Sequence, residues 1–275
     1  MHTNKLIFAI LFFLFILFSL SLLKAEDTGW QPLTSYENEY LSEIAFPLGG
    51  IGTGTVSLGG RGNLQDWEIM NRPSKGFAPD YGFFTLWTQQ GANQPDTRVI
   101  EGVLQPPYTG GIGIPNFTAG LPRFRNIKFH AAYPFCRLEF KDLSTPLEVH
   151  LEAFNPLVPL DPENSGLPVA VFRFKVINPT SEPVKAAIAG SLQNFIGNDG
   201  VEKQKTLYKN EFHGAGDFSG LFLGANITPP PKYHKMELLL LLPMEKILVT
   251  GGTGHEAVGG TIFSRSGMTF LKKEY

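Results

Sequence analysis

Glycine is concentrated in one short segment of the chain, with seven glycines between Gly49 and Gly62. Such density indicates backbone with positive φ or a close approach that leaves no room for a Cβ. A phosphate-binding loop is the first chemistry to test. The dinucleotide fingerprint needs glycine at its sixth position, where Thr55 or Ser57 stands, and no lysine follows to complete a nucleotide-phosphate loop. A strand-like alternation follows instead, so the segment predicts a glycine-rich hairpin.

Two carboxylates come directly after this segment, in Asp66-Trp67-Glu68. Glycoside hydrolysis uses a pair of carboxylates on either side of the scissile bond, and an aromatic ring can stack on the sugar. The alternation of the strand favours a simpler interpretation, in which the acids face solvent and the tryptophan faces a core. A small complete hydrolase that uses Asp66 and Glu68 remains an alternative.

Histidine and cysteine do not form a metal-binding or nucleophilic pattern. The six histidines include no i, i+4 pair and no His-Glu-x-x-His motif. Cys136 is the only cysteine, which excludes an internal disulfide, and its alternation with Leu138 and Phe140 predicts a small buried side chain on a strand. We therefore expect neither a metal nor a cofactor.

Composition predicts a globular protein with a rich apolar core that does not bind nucleic acid. Aromatic residues make up 12% of the 275 residues and charged residues 17%, with a formal net charge of −2. Short alternating segments predict strands, and Val149 with Leu151 should face a core while His150 faces solvent. No long amphipathic helix is indicated before residue 200. The expected fold is an all-β, antiparallel two-sheet β-sandwich.

The first 25 residues differ from the rest of the chain. A short basic start precedes an uncharged, strongly apolar run over residues 6–23. This pattern predicts a signal peptide at 1–25 that exports the protein to the periplasm or the exterior. The alternative is a membrane anchor formed by residues 6–23, because the run is just long enough to span a bilayer.

The segment PLGGIGTGTVSLGGRGNLQDWEIMNRP, at residues 47–73, resembles the start of the N-terminal domain of glycoside hydrolase family 116. This family includes non-lysosomal glucosylceramidases and bile-acid β-glucosidases. The resemblance extends over about residues 35–229 and implies a β-sandwich domain, here residues 26–229, that precedes a separate helical catalytic domain. It implies a parent enzyme that is a retaining hydrolase of β-glucosides or glucosylceramide-type substrates.

The resemblance assigns no catalytic residue to this chain, because the family's catalytic carboxylates belong to the helical domain. The expected partner is that domain, and the expected contact residues are Trp67, Glu68, Asn71 and Arg72, which cluster at the end of the motif. The chain alone should be inactive. A stand-alone carbohydrate-binding module is the alternative, with Trp67 or Trp87 stacking on sugar rings.

The character of the sequence changes at about residue 230. A run of five leucines at 238–242 and a glycine-rich end replace the regular alternation. We expect residues 230–275 to be an atypical tail, produced by a change of reading frame or poorly packed.

Overall fold

The computed structural model describes residues 34–69, 73–104, 120–196, 205–215, 218–228, 238–241, 247–249 and 258–265. The regular secondary structure of the described part is almost entirely β-strand, with one 3-10 helix at Asn38–Glu43 and a four-residue α-helix at Pro162–Ser165. Its strands are β1 Thr34–Glu37, β2 Ala45–Leu48, β3 Thr55–Gly59, β4 Leu64–Glu68, β5 Phe83–Gln90, β6 Asp96–Gly102, β7 Arg123–Phe124, β8 Asn126–Ala132, β9 Phe135–Lys141, β10 Glu148–Phe154, β11 Val169–Ile177, β12 Val184–Ser191, β13 Lys205–Ala215, β14 Phe218–Thr228, β15 Leu238–Leu241, β16 Ile247–Val249 and β17 Val258–Arg265.

These strands form three sheets in the described part of the chain. A nine-stranded sheet has the order β1-β8-β9-β10-β11-β17-β15-β14-β13, and a five-stranded sheet has the order β16-β12-β5-β6-β7. The third sheet is β2-β3-β4. All pairings are antiparallel except the short pairing of β6 with β7. The predicted all-β, antiparallel class is confirmed.

The two larger sheets pack face to face through aromatic side chains. Phe84 of β5 lies 4.9 Å from Phe174 and 5.7 Å from Phe172 of β11, measured between ring centroids. Inward-facing Val149 and Leu151 are buried in the same core, as their alternation predicts. This packing holds each strand rigidly and therefore fixes where the connecting loops leave the sheets.

Cys136 is buried in this core, as its strand pattern predicts. Burial raises the pKa of its thiol far above the ordinary value, because a thiolate is poorly solvated in an apolar environment. The thiol therefore contributes packing and not reactivity.

The outer face of the nine-stranded sheet carries rows of charged side chains. Glu152 pairs with Arg173 on the neighbouring strand, and Lys141 pairs with Glu148 at 2.9 Å. His150 lies on this face, as predicted, but it is half-buried among its neighbours. Burial lowers its pKa, so the imidazole is held neutral.

Two ends of the sandwich follow from the strand directions. The β2–β3 loop, the β8–β9 turn and the β10–β11 connection lie at one end, because β3 starts there and β8 ends there. The β3–β4 turn, the β9–β10 turn and the start of β8 lie at the other end.

No helix among the described residues is long and apolar enough to cross a membrane. The predicted signal or anchor at 1–25 lies outside the described residues.

Candidate functional site

The glycine-rich segment forms the β2–β3 hairpin, which confirms the prediction made from its spacing. Two of its glycines are required by close backbone contacts. A Cβ on Gly50 would lie 2.2 Å from the carbonyl oxygen of Leu167, and a Cβ on Gly54 would lie 2.6 Å from the carbonyl oxygen of Glu68. Gly54 also has a φ of +87°. The glycines thus let the hairpin lie directly against two neighbouring segments, and no phosphate cradle is needed to explain them.

Asn155 ties this hairpin to the β10–β11 connection. Its side-chain oxygen accepts a hydrogen bond from the Gly49 N–H at 2.6 Å, and its amide nitrogen donates to the Pro47 carbonyl at 3.1 Å. Its own N–H donates to the Pro134 carbonyl in the β8–β9 turn. One buried amide therefore joins three loops that are far apart in sequence.

The two predicted carboxylates are occupied by the loop that follows them. Asp66 Oδ1 accepts the Gly76 N–H at 2.7 Å, and Glu68 Oε1 accepts the Ser74 N–H at 3.1 Å. Lys75 Nζ lies 2.8 Å from Glu68 Oε2 and 3.7 Å from Asp66 Oδ2. Both acids therefore organise residues 73–77.

The charge state of Glu68 is opposite to that of a general acid. The hydrogen bond from Lys75, followed by that from the Ser74 N–H, lowers the pKa of Glu68 below its ordinary value. The same contact with Glu68 raises the pKa of Lys75. A glycosidase acid needs a raised pKa so that it carries a proton at neutral pH. Glu68 instead remains an ionised partner of Lys75.

Trp67 belongs to the core of this domain. Its side chain is 1% exposed and makes an edge-on contact with Phe195 at 5.3 Å between ring centroids. The ring therefore has no exposed face on which a sugar could stack. Trp87 differs, because it is only partly buried, on the face of β5 that points away from the core. The predicted contact residues Asn71 and Arg72 lie outside the described residues, directly after the end of this strand.

A group of exposed apolar side chains surrounds the glycine-rich hairpin. We call it the apolar end, and it consists of Ile51, Tyr133, Phe135, Leu157, Val158 and Leu160. The Ile51 N–H donates to the Ser165 carbonyl at 2.8 Å, and Ser165 Oγ bonds both the N–H and the carbonyl of Val158. These bonds hold the loops, and hence their apolar side chains, side by side.

Leu160 is the most unusual residue of this group. Its φ is +65°, a left-handed conformation that costs a residue other than glycine about 1–3 kcal/mol. Its side chain is fully exposed, so burial within this domain does not offset the cost. A turn in which the Asp161 N–H donates to the Val158 carbonyl holds it in place.

The other end of the sandwich carries a cleft of about 250 Å³ with a mixed lining. Leu41, Ile44 and Ile127 supply apolar surface, and polar side chains form the rest. Most of these polar groups are already paired: Lys128 lies 2.7 Å from Glu37, and Arg61 bonds Glu101. The cleft therefore shows few donors or acceptors that await a ligand.

A buried ion network lies beside this cleft. Glu101 is 5% exposed and sits between Arg61 and Arg123, whose Nε is 3.6 Å from the carboxylate. Arg98 donates twice to Asp96 and stacks on Phe124, with its guanidinium carbon 5.3 Å from the ring centroid. Among the described residues, no group of three or more His, Cys, Asp or Glu side chains could hold a metal ion.

Local sequence patterns do not reveal the buried charges beside the cleft. Arg98 and Glu101 lie on a strand where charge normally indicates a solvent face, and burial is tolerated only because each has partners. A signal for the apolar end does exist. Residues 156–160 read Pro-Leu-Val-Pro-Leu, an apolar loop where polar turn residues are usual.

The chain matches a model of a protein family. The family described as beta-glucosidase 2, glycosyl-hydrolase family 116 N-term, matches residues 45–264. The match includes the whole glycine-rich hairpin and the Asp66-Trp67-Glu68 strand. The match ends at residue 264. The sequence alone indicates an earlier end, at about residue 229. Strands β15 and β16, and all but the last residue of β17, fall within the match.

Proposed function

We propose a non-catalytic role for this chain, which belongs to the N-terminal domain family of glycosyl-hydrolase family 116. In this proposal it is a β-sandwich domain that packs against a helical catalytic domain and helps to shape the substrate cleft of that domain. The match to residues 45–264 is the observation that carries this proposal. A catalytic partner domain in the parent enzyme follows from that membership.

The use of the carboxylates supports a non-catalytic role. Asp66 and Glu68 hold the 73–77 loop through two backbone N–H groups and Lys75. A retaining mechanism needs one carboxylate free to attack and another able to deliver a proton. Neither requirement fits a pair engaged in this way. The catalytic acids are then supplied by the partner domain.

The proposed substrate of the parent enzyme is a β-glucoside, including glucosylceramide-type lipids, and the proposed mechanism is retaining hydrolysis. Both come from the family resemblance. We also propose that residues 1–25 export the chain, either as a cleaved signal peptide or as an anchor formed by residues 6–23.

The proposed contact with the catalytic domain lies where β4 ends. Glu68 and Lys75 present a charged pair there, and Asn71 and Arg72 come next in the chain. Buried Trp67 supports this edge from within, through its packing on Phe195. Trp67 would act by fixing the shape of the contact, and Glu68, Asn71 and Arg72 by touching the partner.

The test uses the purified full-length chain with a chromogenic aryl β-glucoside. We expect no turnover by the chain alone, and stable binding to a separately produced helical catalytic domain of a family 116 β-glucosidase. Turnover by the chain alone that is abolished by Glu68→Gln would instead establish a complete small hydrolase.

A second outcome would also contradict the proposal. If the chain does not bind the catalytic domain but binds glucans, and loses that binding on Trp87→Ala, it is a carbohydrate-binding module. Trp67→Ala is a poor probe of the same question, because removal of a buried tryptophan costs about 3–5 kcal/mol of stability whatever the ring binds.

A further inference from the structure

The apolar end has more exposed apolar surface than the fold of this domain uses. Six large apolar side chains point outward there, five from three loops and Phe135 from the first position of β9, and Ile51 is 63% exposed. A satellite cluster of Phe154, Leu167, Val169 and Val171 lies beneath them, and Phe135 contacts Phe154 at 5.6 Å between ring centroids. Contiguous exposed apolar surface on a rigid support is typical of an interaction site.

The surface is held in place and is not a loose loop. Asn155, Ser165 and the backbone of Gly50 fix the three loops against each other. The strained conformation of Leu160 is maintained by the surrounding turn and aims a fully exposed leucine outward. Strain of this kind persists where the surrounding structure determines it, and such positions cluster at functional sites.

The three segments that build the apolar end carry charge of one sign. The three segments that build it, residues 44–60, 131–136 and 153–168, contain no lysine or arginine, and their only charged residues are Asp161 and Glu163. The N–H of Asn164 holds the pKa of Asp161 below its ordinary value, so this carboxylate stays ionised. A complementary partner therefore presents an apolar surface with lysine or arginine at its rim.

We infer that the apolar end is the surface on which the helical catalytic domain docks, with Leu160 inserted between apolar side chains of that domain and a basic rim facing Glu163. This inference rests on the proposed function and locates its interface. The occupant is chosen because the family matched by this chain is the N-terminal part of an enzyme, which leaves the remaining domain to cover the surface. Because Gly54 lies against Glu68, the apolar end is continuous with the end of β4.

The key variant is Leu160→Asn in the full-length chain. Asparagine adopts a left-handed conformation more readily than leucine, so the thermal midpoint of the isolated variant should stay the same or rise. Binding to the helical catalytic domain of a family 116 β-glucosidase should weaken at least tenfold. A residue with only a structural role could not weaken binding without lowering stability.

Leu143→Asn is the matched control. Leu143 is also fully exposed, but it lies in the β9–β10 turn at the other end of the sandwich. The Leu143→Asn variant should bind the catalytic domain as the unchanged chain does. Ile51→Ser should weaken binding as Leu160→Asn does, and Glu163→Lys should weaken it mainly at low salt, because the rim charge acts through solvent.

The outcomes separate the two proposals. If the unchanged chain binds the catalytic domain, and Leu160→Asn and Ile51→Ser bind equally well, docking occurs elsewhere and this inference is wrong while the proposed function stands. If the unchanged chain does not bind even when the two proteins are produced together, the proposed function fails. Self-association, or binding to lipid vesicles, that is lost on Leu160→Asn would replace the catalytic domain with another occupant.

Discussion

At the apolar end, three loops meet through glycine backbone contacts and the side chain of Asn155, whereas the opposite end combines a glycine contact, that of Gly60 with the Leu41 carbonyl, with buried charges. Gly50 and Gly54 have no side chains to separate the segments at the apolar end. Beside the cleft, Glu101 and Arg98 bring whole charged side chains into the interior. The first arrangement leaves apolar groups facing outward, and the second satisfies its polar groups internally.

The difference indicates which end depends on a partner. An end whose charges are paired has little left to offer to another molecule, because the pairing already compensates the cost of burial. An end that exposes leucine, isoleucine and aromatic side chains loses free energy until something covers them. Interaction surfaces in a β-sandwich can thus be sought where several exposed apolar side chains lie side by side.

The largest expected effect is at the charged end. Glu101→Ala removes the carboxylate that pairs with Arg61 and Arg123. Breaking a buried ion pair in this way lowers the free energy of unfolding by about 3–5 kcal/mol. Urea unfolding of the full-length chain measures the change. Glu148→Ala, which removes an exposed pair with Lys141, is the control and should cost about 0–1 kcal/mol. If the two variants lost equal stability, the buried network would contribute no more to stability than the exposed ion pair.

A smaller effect is expected at the apolar end. Gly50→Ala places a methyl group against the Leu167 carbonyl, and overpacking of this kind typically costs about 1–3 kcal/mol. Gly120→Ala is the matched control, because nothing lies within 4 Å of its added Cβ. Thermal unfolding of both variants compares them. If Gly50→Ala is as stable as the control, the close contact at this hairpin does not hold the loops.

The smallest effect is a difference in acid sensitivity. Burial alone would raise the pKa of Asp142, but two hydrogen bonds from Ser144, the Arg125 N–H and the charge of Arg98 together lower it. The folded state therefore releases this proton more readily than the unfolded state. Stability from Asp142 is present above the unfolded pKa, near 4, and is lost as pH falls through the lower folded value.

Unfolding midpoints measured between pH 7 and pH 2.5 would detect this loss. In Asp142→Asn the decline below about pH 4 should be shallower, although the variant starts less stable. An unchanged slope would mean that other carboxylates cause the loss of stability in acid. Asp142 would then not distinguish the cleft end from the rest of the domain.

Much of the strand arrangement could be read from the sequence because it is encoded locally. The alternation of Val149 with Leu151 and that of Cys136 with Leu138 and Phe140 predict which face of each strand is buried, and all five side chains are buried in the structure. Trp67 faces inward, as predicted, but the prediction that both neighbouring acids face solvent is wrong for Asp66, which is buried with a φ of +49° beside a register shift in the β3–β4 pairing. Period-2 burial needs no knowledge of distant residues.

The loops could not be read in the same way. Asn155 acts on Gly49, which lies 106 residues earlier, and no local period links them. The positive φ of Leu160 contradicts the usual preference of leucine and is imposed by the turn around it. The carboxylates of Asp66 and Glu68 were recognisable as a pair, but only the structure assigns them to the N–H groups of residues 74 and 76.

The position of β17 has a consequence for biosynthesis. This strand pairs with β11 at the middle of the nine-stranded sheet, although it is the last described strand of the chain. As the chain leaves the ribosome, β11 can pair with β10 at once, but its other edge stays open until residues 258–265 emerge. An open edge is a template for association with other chains. We therefore expect that nascent chains halted before residue 258 aggregate, and that chaperones which cover strand edges act on β11.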